Sequence, residues 1–125
     1  MVGGELVAVD RPRLSDCMAV GHTFNGRFPP FVRNLAEQWN GRTWRARTPP
    51  GPTGSSLAGV SCPRATRCIA VGSSLPRFRS FEAGLAERWN GRQWRRVNPA
   101  GRHVALISVS CARPGSCIAV GRAGT

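Results

Sequence analysis

Five cysteines carry the most reactive side chains of the chain, and four of them form two equally spaced pairs. One pair flanks the residues PRATR and the other flanks ARPGS, which suits either a disulfide across a short hairpin or two free buried thiols. A metal site is disfavoured because zinc ligands are usually closer in sequence, so we expect no metal and no cofactor. The fifth cysteine, Cys17, has Arg11 in the place of a partner. The candidate disulfide residues are Cys62, Cys68, Cys111 and Cys117.

Tryptophan, glutamate and arginine recur together in LAEQWNGRTW from residue 35 and in LAERWNGRQW from residue 85. A tryptophan beside a carboxylate and a guanidinium can stack on a sugar ring while the charged groups bond its hydroxyls. The alternative is structural. Tryptophan at a repeated position usually packs neighbouring units, with glutamate bonding backbone donors and arginine lying over a ring. The candidate ligand-binding residues are Glu37, Trp39, Arg42, Trp44, Glu87, Trp89, Arg92 and Trp94.

Catalysis has little support in the sequence. No histidine stands near a repeated serine or cysteine, no carboxylates cluster, and no glycine-rich loop leads into a helix. The closest acidic pair, Asp10 and Asp16, is interpreted as solvated loop residues. We therefore predict a protein that is not an enzyme and acts as a binding or scaffold module of unknown ligand, with a protein or a glycan as its partner.

These side chains belong to a unit of about fifty residues that recurs along the chain. CMAVGH begins at residue 17, CIAVGS at residue 68 and CIAVGR at residue 117, which are 51 and 49 residues apart. The two tryptophan segments are 50 residues apart. We predict one repeat domain over residues 1–125, with units at 6–49, 57–98 and 106–125, the last of them incomplete.

Each unit reads as four short strands bounded by Pro, Gly, Ser or Asn. In the central copy the predicted strands are Leu57–Cys62, Arg67–Gly72, Leu85–Trp89 and Gln93–Asn98, and the last copy supplies Leu106–Cys111 and Cys117–Arg122.

An Asn-Gly pair between the two tryptophans of each segment predicts a hairpin, since these residues tolerate the positive φ of a type I′ turn. A two-residue loop would place Glu37 opposite Trp44, whereas a four-residue loop would place Trp39 opposite Trp44. The sequence leaves both registers open.

Four antiparallel strands with a period near fifty residues predict an all-β fold made of β-propeller-like blades, about two and a half of them. Such a chain leaves sheet edges unpaired. We therefore expect either an open array, or a ring that is closed by a homo-oligomer or by additional repeats.

The motifs VSC, five residues, CxAVG and then LAExWNGxxW resemble a family of bacterial secreted repeat proteins, over Val9 to Gly121. The resemblance implies a propeller-like fold and export, and it implies no activity. The Gly-x-x-Trp ending is also similar to the Asp-box hairpin of sialidase-type propellers, although Trp39 and Trp89 stand where the Asp is expected. The run from Glu87 to Trp94 is similar to a hairpin of small fucose-binding propeller lectins, with Asn in place of Asp.

The net charge of +12 comes from 18 basic residues, all arginine, against 6 acidic ones. It raises Arg-driven binding of nucleic acid or another anionic polymer as an alternative function, but the arginines are scattered and form no basic helix, so a nucleic-acid partner is not favoured. No apolar run is long enough for a membrane helix, and we expect no membrane partner. The cysteine pairs favour an extracellular location, whereas MVGGELVAVDRP lacks the pattern of a secretory signal; a fragment of a longer secreted protein would reconcile the two.

Overall fold

A computed structural model of the chain describes residues 3–24, 32–49, 54–74, 83–97 and 104–123. These residues form strands, turns and bends, and no helix occurs among them. The ten strands are β1 Gly3–Arg13, β2 Asp16–Phe24, β3 Val32–Trp39, β4 Trp44–Ala46, β5 Ser55–Arg64, β6 Arg67–Ser74, β7 Ala83–Trp89, β8 Trp94–Val97, β9 Val104–Arg113 and β10 Ser116–Ala123.

The strands form three antiparallel sheets, which confirms the predicted all-β class. The first sheet has the order β1-β2-β3-β4, the second has β5-β6-β7-β8, and the third contains β9 and β10. Within each sheet, strands that follow one another in sequence pair with each other, which is the common arrangement. The strands expected in the central copy are present, although β5 and β6 extend beyond the predicted limits because backbone pairing continues past the apolar positions.

The glycine that ends each AVG segment is required by a close backbone approach. Gly21, Gly72 and Gly121 follow a register shift between the first two strands of their sheets. A Cβ atom at any of them would overlap a carbonyl oxygen of the partner strand, that of Glu5 or its counterparts. Any larger residue therefore has to displace backbone atoms.

The tryptophan hairpins have a four-residue loop, so the structure selects the second of the two registers. Trp39 lies opposite Trp44, and Trp89 lies opposite Trp94. The Asn40 side chain accepts hydrogen bonds from the backbone N–H of Arg42 and of Thr43, each 2.9 Å long, and thereby closes the wider loop.

The glycine that follows this asparagine takes the positive φ expected of it, 93° at Gly41 and 97° at Gly91.

The apolar core lies between the sheets in two layers. The first layer joins the first and second sheets, through Met18 and Val20 on one side and Leu57 and Leu85 on the other. The second layer joins the second and third sheets, and Val71 and Leu106 belong to it. The second sheet is therefore covered on both faces, whereas the first and third sheets are each covered on one.

A hydrogen bond crosses each of these layers at the same position of the unit. The backbone N–H of Cys62 donates to Asp10 Oδ2 at 2.5 Å, and the backbone N–H of Cys111 donates to Ser61 Oγ at 3.0 Å. The interpretation of Asp10 as a solvated loop residue is therefore wrong. It lies within β1 and satisfies a half-buried donor of the next sheet.

Both predicted disulfides are present, Cys62–Cys68 and Cys111–Cys117, with Cα atoms 4.0 Å apart in each. Each joins the first two strands of its sheet next to the turn that connects them. Cys17 is a free, half-buried thiol.

Candidate functional site

The two tryptophan pairs share one geometry but differ in environment. The ring centroids of Trp39 and Trp44 are 5.6 Å apart at 47°, and those of Trp89 and Trp94 are 5.5 Å apart at 49°. Tilted pairs at this distance are favourable beyond the area they bury. Trp94 is only 5% exposed, whereas its counterpart Trp44 is 46% exposed.

The difference in burial follows from the position of each sheet. Trp89 and Trp94 belong to the core layer that also contains Met18 and Ala36 of the first sheet. The equivalent face of the first sheet has no described neighbour, so the ring of Trp44 stays in solvent. The second pair thus serves packing, as the structural interpretation of the repeated tryptophans anticipated, and it leaves only ring edges accessible.

A cleft of about 560 Å³ opens beside these ring edges, and we call it the tryptophan cleft. One wall is residues 46–49, the segment that leaves β4 of the first sheet, and the other is formed by Trp89, Arg92, Gln93 and Trp94 of the second hairpin. Its volume falls in the range of small-molecule sites, and it combines aromatic walls with a few polar groups, as such sites do.

Arg47 is held at this cleft by bonds within the first sheet. Its backbone N–H donates to the carbonyl oxygen of Ala36 at 2.8 Å, and its side-chain Nε donates to Gln38 Oε1 at 3.2 Å. Gln38 in turn donates through Nε2 to Asp16 Oδ1 at 3.4 Å. The guanidinium is therefore oriented before any ligand arrives, which lowers the entropic cost of using it.

Glu87 lies on the same strand as Trp89 and is fully buried, yet neither of its carboxylate oxygens has a hydrogen-bond partner. Burial raises the pKa of Glu87 from 4.5 to about 7, and the positive charge of Arg96 opposes part of this rise. The expectation that this glutamate bonds backbone donors is therefore wrong. The indole Nε1 atoms of Trp89 and Trp94 are buried without a partner as well.

The structure brings three of the eight predicted ligand residues to the tryptophan cleft, namely Trp89, Arg92 and Trp94. Glu87 is next to them in the strand but does not line the cleft. The other four, Glu37, Trp39, Arg42 and Trp44, belong to the first hairpin and do not line the cleft, although Ala46 at the end of the same hairpin does.

Sequence reasoning missed Gln93 and the segment 46–49 as cleft-lining residues. A proline-rich stretch after the first hairpin was the only signal for that segment, and it gives no reason to expect contact with the second hairpin.

A second cleft, of about 350 Å³, lies between the second sheet and the β9–β10 turn, and we call it the arginine cleft. Its lining includes Arg67 and Arg88 together with the disulfide residues Cys68 and Cys117, and it contains no acidic side chain. The positions equivalent to these two arginines in the first sheet are Asp16 and Gln38, which bond each other. The arginine cleft therefore carries positive charge where the first sheet has a hydrogen bond between an amide and a carboxylate.

Comparisons of the chain with protein-family models, with curated protein sequences and with solved structures give no match. No helix long and apolar enough to cross a membrane occurs in the part of the chain that the structure describes. In the same part, no three His, Cys, Asp or Glu side chains come together as metal ligands would.

Proposed function

We propose that this protein is a non-catalytic, β-propeller-like binding module and that it holds its ligand in the tryptophan cleft. The observation that carries the proposal is the cleft itself, which is of small-molecule size, is lined by two tryptophans, has the oriented side chain of Arg47 in one wall and has the exposed side chain of Arg92 in the other. Rigid walls with few polar anchors are the usual construction of a binding site.

The propeller-like arrangement is supported by the way in which successive sheets meet. Both four-stranded sheets have strands in sequence order, and the first strand of each later sheet packs on the first three strands of the sheet before it. In a propeller, blades with this strand order pack face to face around a central axis. The binding site is then a groove between two adjacent blades.

A neutral sugar is the ligand chemistry that the cleft favours. Arg92 and Gln93 are exposed donors at the rim, and the guanidinium of Arg47 is oriented in the opposite wall. Sugar hydroxyls accept hydrogen bonds from such donors, and the apolar part of a sugar ring suits a wall made partly of tryptophan. The two disulfides are consistent with an extracellular protein, and we propose that the module meets its ligand outside the cell.

The four indole N–H signals of ¹⁵N-labelled protein test this proposal. Methyl glycosides of fucose, galactose, mannose and N-acetylglucosamine are titrated to millimolar concentration, and short neutral peptides are titrated separately. We expect at least one sugar to shift the signals of Trp89 and Trp94 while those of Trp39 and Trp44 stay in place, because only the second pair lines the cleft. Conservative Trp→Phe variants assign the signals.

The matched control compares Arg92→Ala with Arg42→Ala, which changes the equivalent residue on the first hairpin. Both side chains are exposed, so both variants should fold. Arg92→Ala should weaken the sugar response at least about tenfold if the guanidinium bonds the ligand, since a bond to a charged group contributes about 1.5 to 3 kcal/mol. If peptides but no sugar shift the Trp89 and Trp94 signals, the cleft remains the binding site but its ligand is not a carbohydrate. If no compound shifts these two signals, the cleft is not the binding site.

Binding of an anionic polymer is a second candidate function, and the arginine cleft is the observation that favours it. Among the described residues no arginine forms an ion pair, so these charges are available to phosphate or sulfate groups. Retention on heparin should then fall steeply with salt, because binding releases counterions. Arg67→Ser/Arg88→Gln should elute clearly earlier than Arg42→Gln/Arg45→Gln, which removes the same charge elsewhere. If the two variants elute at the same salt concentration, retention depends on total charge and the arginine cleft is not a specific binding site.

A further inference from the structure

One contact between sheets is made twice within this chain. In the first contact Leu57 and Val60 of the second sheet pack against Met18 and Val20 of the first. In the second contact Leu106 and Val109 of the third sheet pack against Ile69 and Val71 of the second sheet. Leu106 and Val109 are equivalent to Leu57 and Val60. Ile69 and Val71 are equivalent to Met18 and Val20. The hydrogen bonds from Cys62 to Asp10 and from Cys111 to Ser61 fix the same register in both.

Among the described residues, the first and the third sheets each present one half of this contact without a partner. In the first sheet, Leu6 and Val9 hold the positions of Leu57 and Val60, and we call them the leading face. Leu6 is 41% exposed, whereas Leu57 is 1% exposed. Charged and polar side chains ordinarily occupy so exposed a strand face.

In the third sheet, Ile118 and Val120 hold the positions of Met18 and Val20, and we call them the trailing face. Val120 is 60% exposed, although the equivalent valines of the first two sheets, Val20 and Val71, are 0% and 1% exposed. Ser110, beside the trailing face, occupies the position from which Asp10 and Ser61 accept their inter-sheet bonds.

We propose that the leading face of one copy docks on the trailing face of a second copy, and that two copies join head to tail through two such contacts. Leu6 and Val9 of one chain cover Ile118 and Val120 of the other. The backbone N–H of Arg11, which in the free chain bonds the adjacent Asp10 side chain at 2.8 Å, turns to Ser110 Oγ of the other copy. The occupant is a second copy because the chain itself carries both complementary halves in the register that it already uses twice.

The number of copies follows from the number of sheets. The described residues of one chain form three sheets, so those of two copies form six, and those of three would form nine. Propellers usually have four to eight blades, so only the pair falls in that range. A head-to-tail contact closes into a ring when the rotation per unit allows it, and otherwise grows without limit. The closure of two copies into a ring rests on the propeller-like arrangement proposed above. The docking contact itself rests only on the equivalence of the leading and trailing faces to the residues of the two internal contacts.

The third sheet has two strands where the others have four, so each contact between copies lacks the counterpart of Ala36 and is smaller than the internal ones. The two contacts of the pair compensate for the smaller area of each one. Once the first contact has formed, the second forms within the same particle, at a high effective concentration.

The first experiment measures mass in solution. The proposal predicts a particle of about 27 kDa, twice the chain mass of 13.5 kDa, by light scattering or sedimentation. Val120→Glu should reduce it to a monomer, since the charge would be buried in the contact but is exposed in the free chain. Thr66→Glu, in the exposed β5–β6 turn of the second sheet, which takes no part in the contact between copies, should leave the particle unchanged.

Disulfide trapping then tests the docking register. Leu57 and Val20 belong to the same core layer within the chain, and Leu6 and Val120 are their equivalents on the leading and trailing faces. In the proposed pair, Leu6 of one copy therefore lies against Val120 of the other. In a Cys17→Ser background that removes the free thiol, Leu6→Cys/Val120→Cys should give a covalent dimer on non-reducing gels. Either cysteine alone should give none.

Three results would overturn the proposal. They are a monomer at every concentration tested, a ladder of larger assemblies instead of a closed pair, and covalent dimers from Val120→Cys alone, which would mean that like faces meet. None of them bears on the tryptophan cleft, which lies wholly within one chain, so ligand binding and dimerisation fail independently.

Discussion

A third disulfide can be added to the first sheet by the single change Arg11→Cys. In the first sheet Asp10 pairs with Met18, and Arg13 pairs with Asp16. The second sheet has the same register at the equivalent positions, where Ser61 pairs with Ile69 and Arg64 pairs with Arg67. Residues 11 and 17 thus take the positions of Cys62 and Cys68, whose Cα atoms are 4.0 Å apart. A distance of this order permits a bridge without backbone movement. Cys17 is already present and unpaired.

The size of the effect follows from the length of the loop that is closed. The native bridges span a sequence separation of 6, and Cys17 would close a loop of the same length with residue 11. On the chain-entropy model such a loop stabilises the folded chain by about 2.3 kcal/mol at 25 °C. For a chain of this size the corresponding rise in Tm is about 10 °C.

The assay is a thiol count followed by thermal unfolding under oxidising conditions. Arg11→Cys should show no free thiol under denaturing conditions and a raised Tm, while Arg11→Ser should keep one free thiol and a Tm close to that of the parent. The Arg11→Ser control removes the same arginine without adding sulfur. If Arg11→Cys folds but retains two reactive thiols, the equivalence of the first and second sheets at this turn is refuted.

Two further predictions follow from buried groups. Because burial raises the pKa of Glu87 from 4.5 to about 7, the contribution of Glu87 to stability is fully present below pH 4.5, and up to about 3 kcal/mol of it is lost as the pH rises from 4.5 through 7. Glu87→Gln should abolish this decline in urea unfolding at pH 5 and pH 8, and an unchanged slope would contradict the assignment. Gly72→Ala should cost about 3 kcal/mol or more, since its Cβ would overlap backbone of β5, whereas Ser73→Ala on the same strand should cost about 1 kcal/mol or less; equal losses would contradict the close approach.

Local sequence was sufficient for the strands, the hairpins and both disulfides. Each depends on residues close in the chain: alternating apolar positions, an Asn-Gly turn, or cysteines on either side of a short connection. The hairpin register was not accessible in this way, because it depends on a contact between Trp39 and Trp44 and on the hydrogen bonds of Asn40 across a wider loop. Both loop lengths satisfy the same local pattern.

The tryptophan cleft was only partly accessible from sequence, for a different reason. The segments that contain Glu37 and Glu87 are almost identical, yet Glu87 is fully buried and Glu37 is not. The difference arises because the first sheet covers the second hairpin and no described sheet covers the first. Neighbouring sheets are contributed by residues about fifty positions away, so no local pattern distinguishes the two glutamates or selects Arg47 as a wall of the cleft.

The same asymmetry determines how many ligands an assembly holds. In the proposed pair the first hairpin of each copy faces the third sheet of the other, which has no counterpart of β4 among the described residues. The segment that follows β4 supplies Arg47 and Pro49 to the existing cleft, so docking cannot build an equivalent wall beside Trp39 and Trp44. A dimer therefore has one complete tryptophan cleft per chain, the same stoichiometry as a monomer. Assembly and ligand binding therefore use different residues of the first sheet, because the leading face lies on β1 whereas Arg47 follows β4.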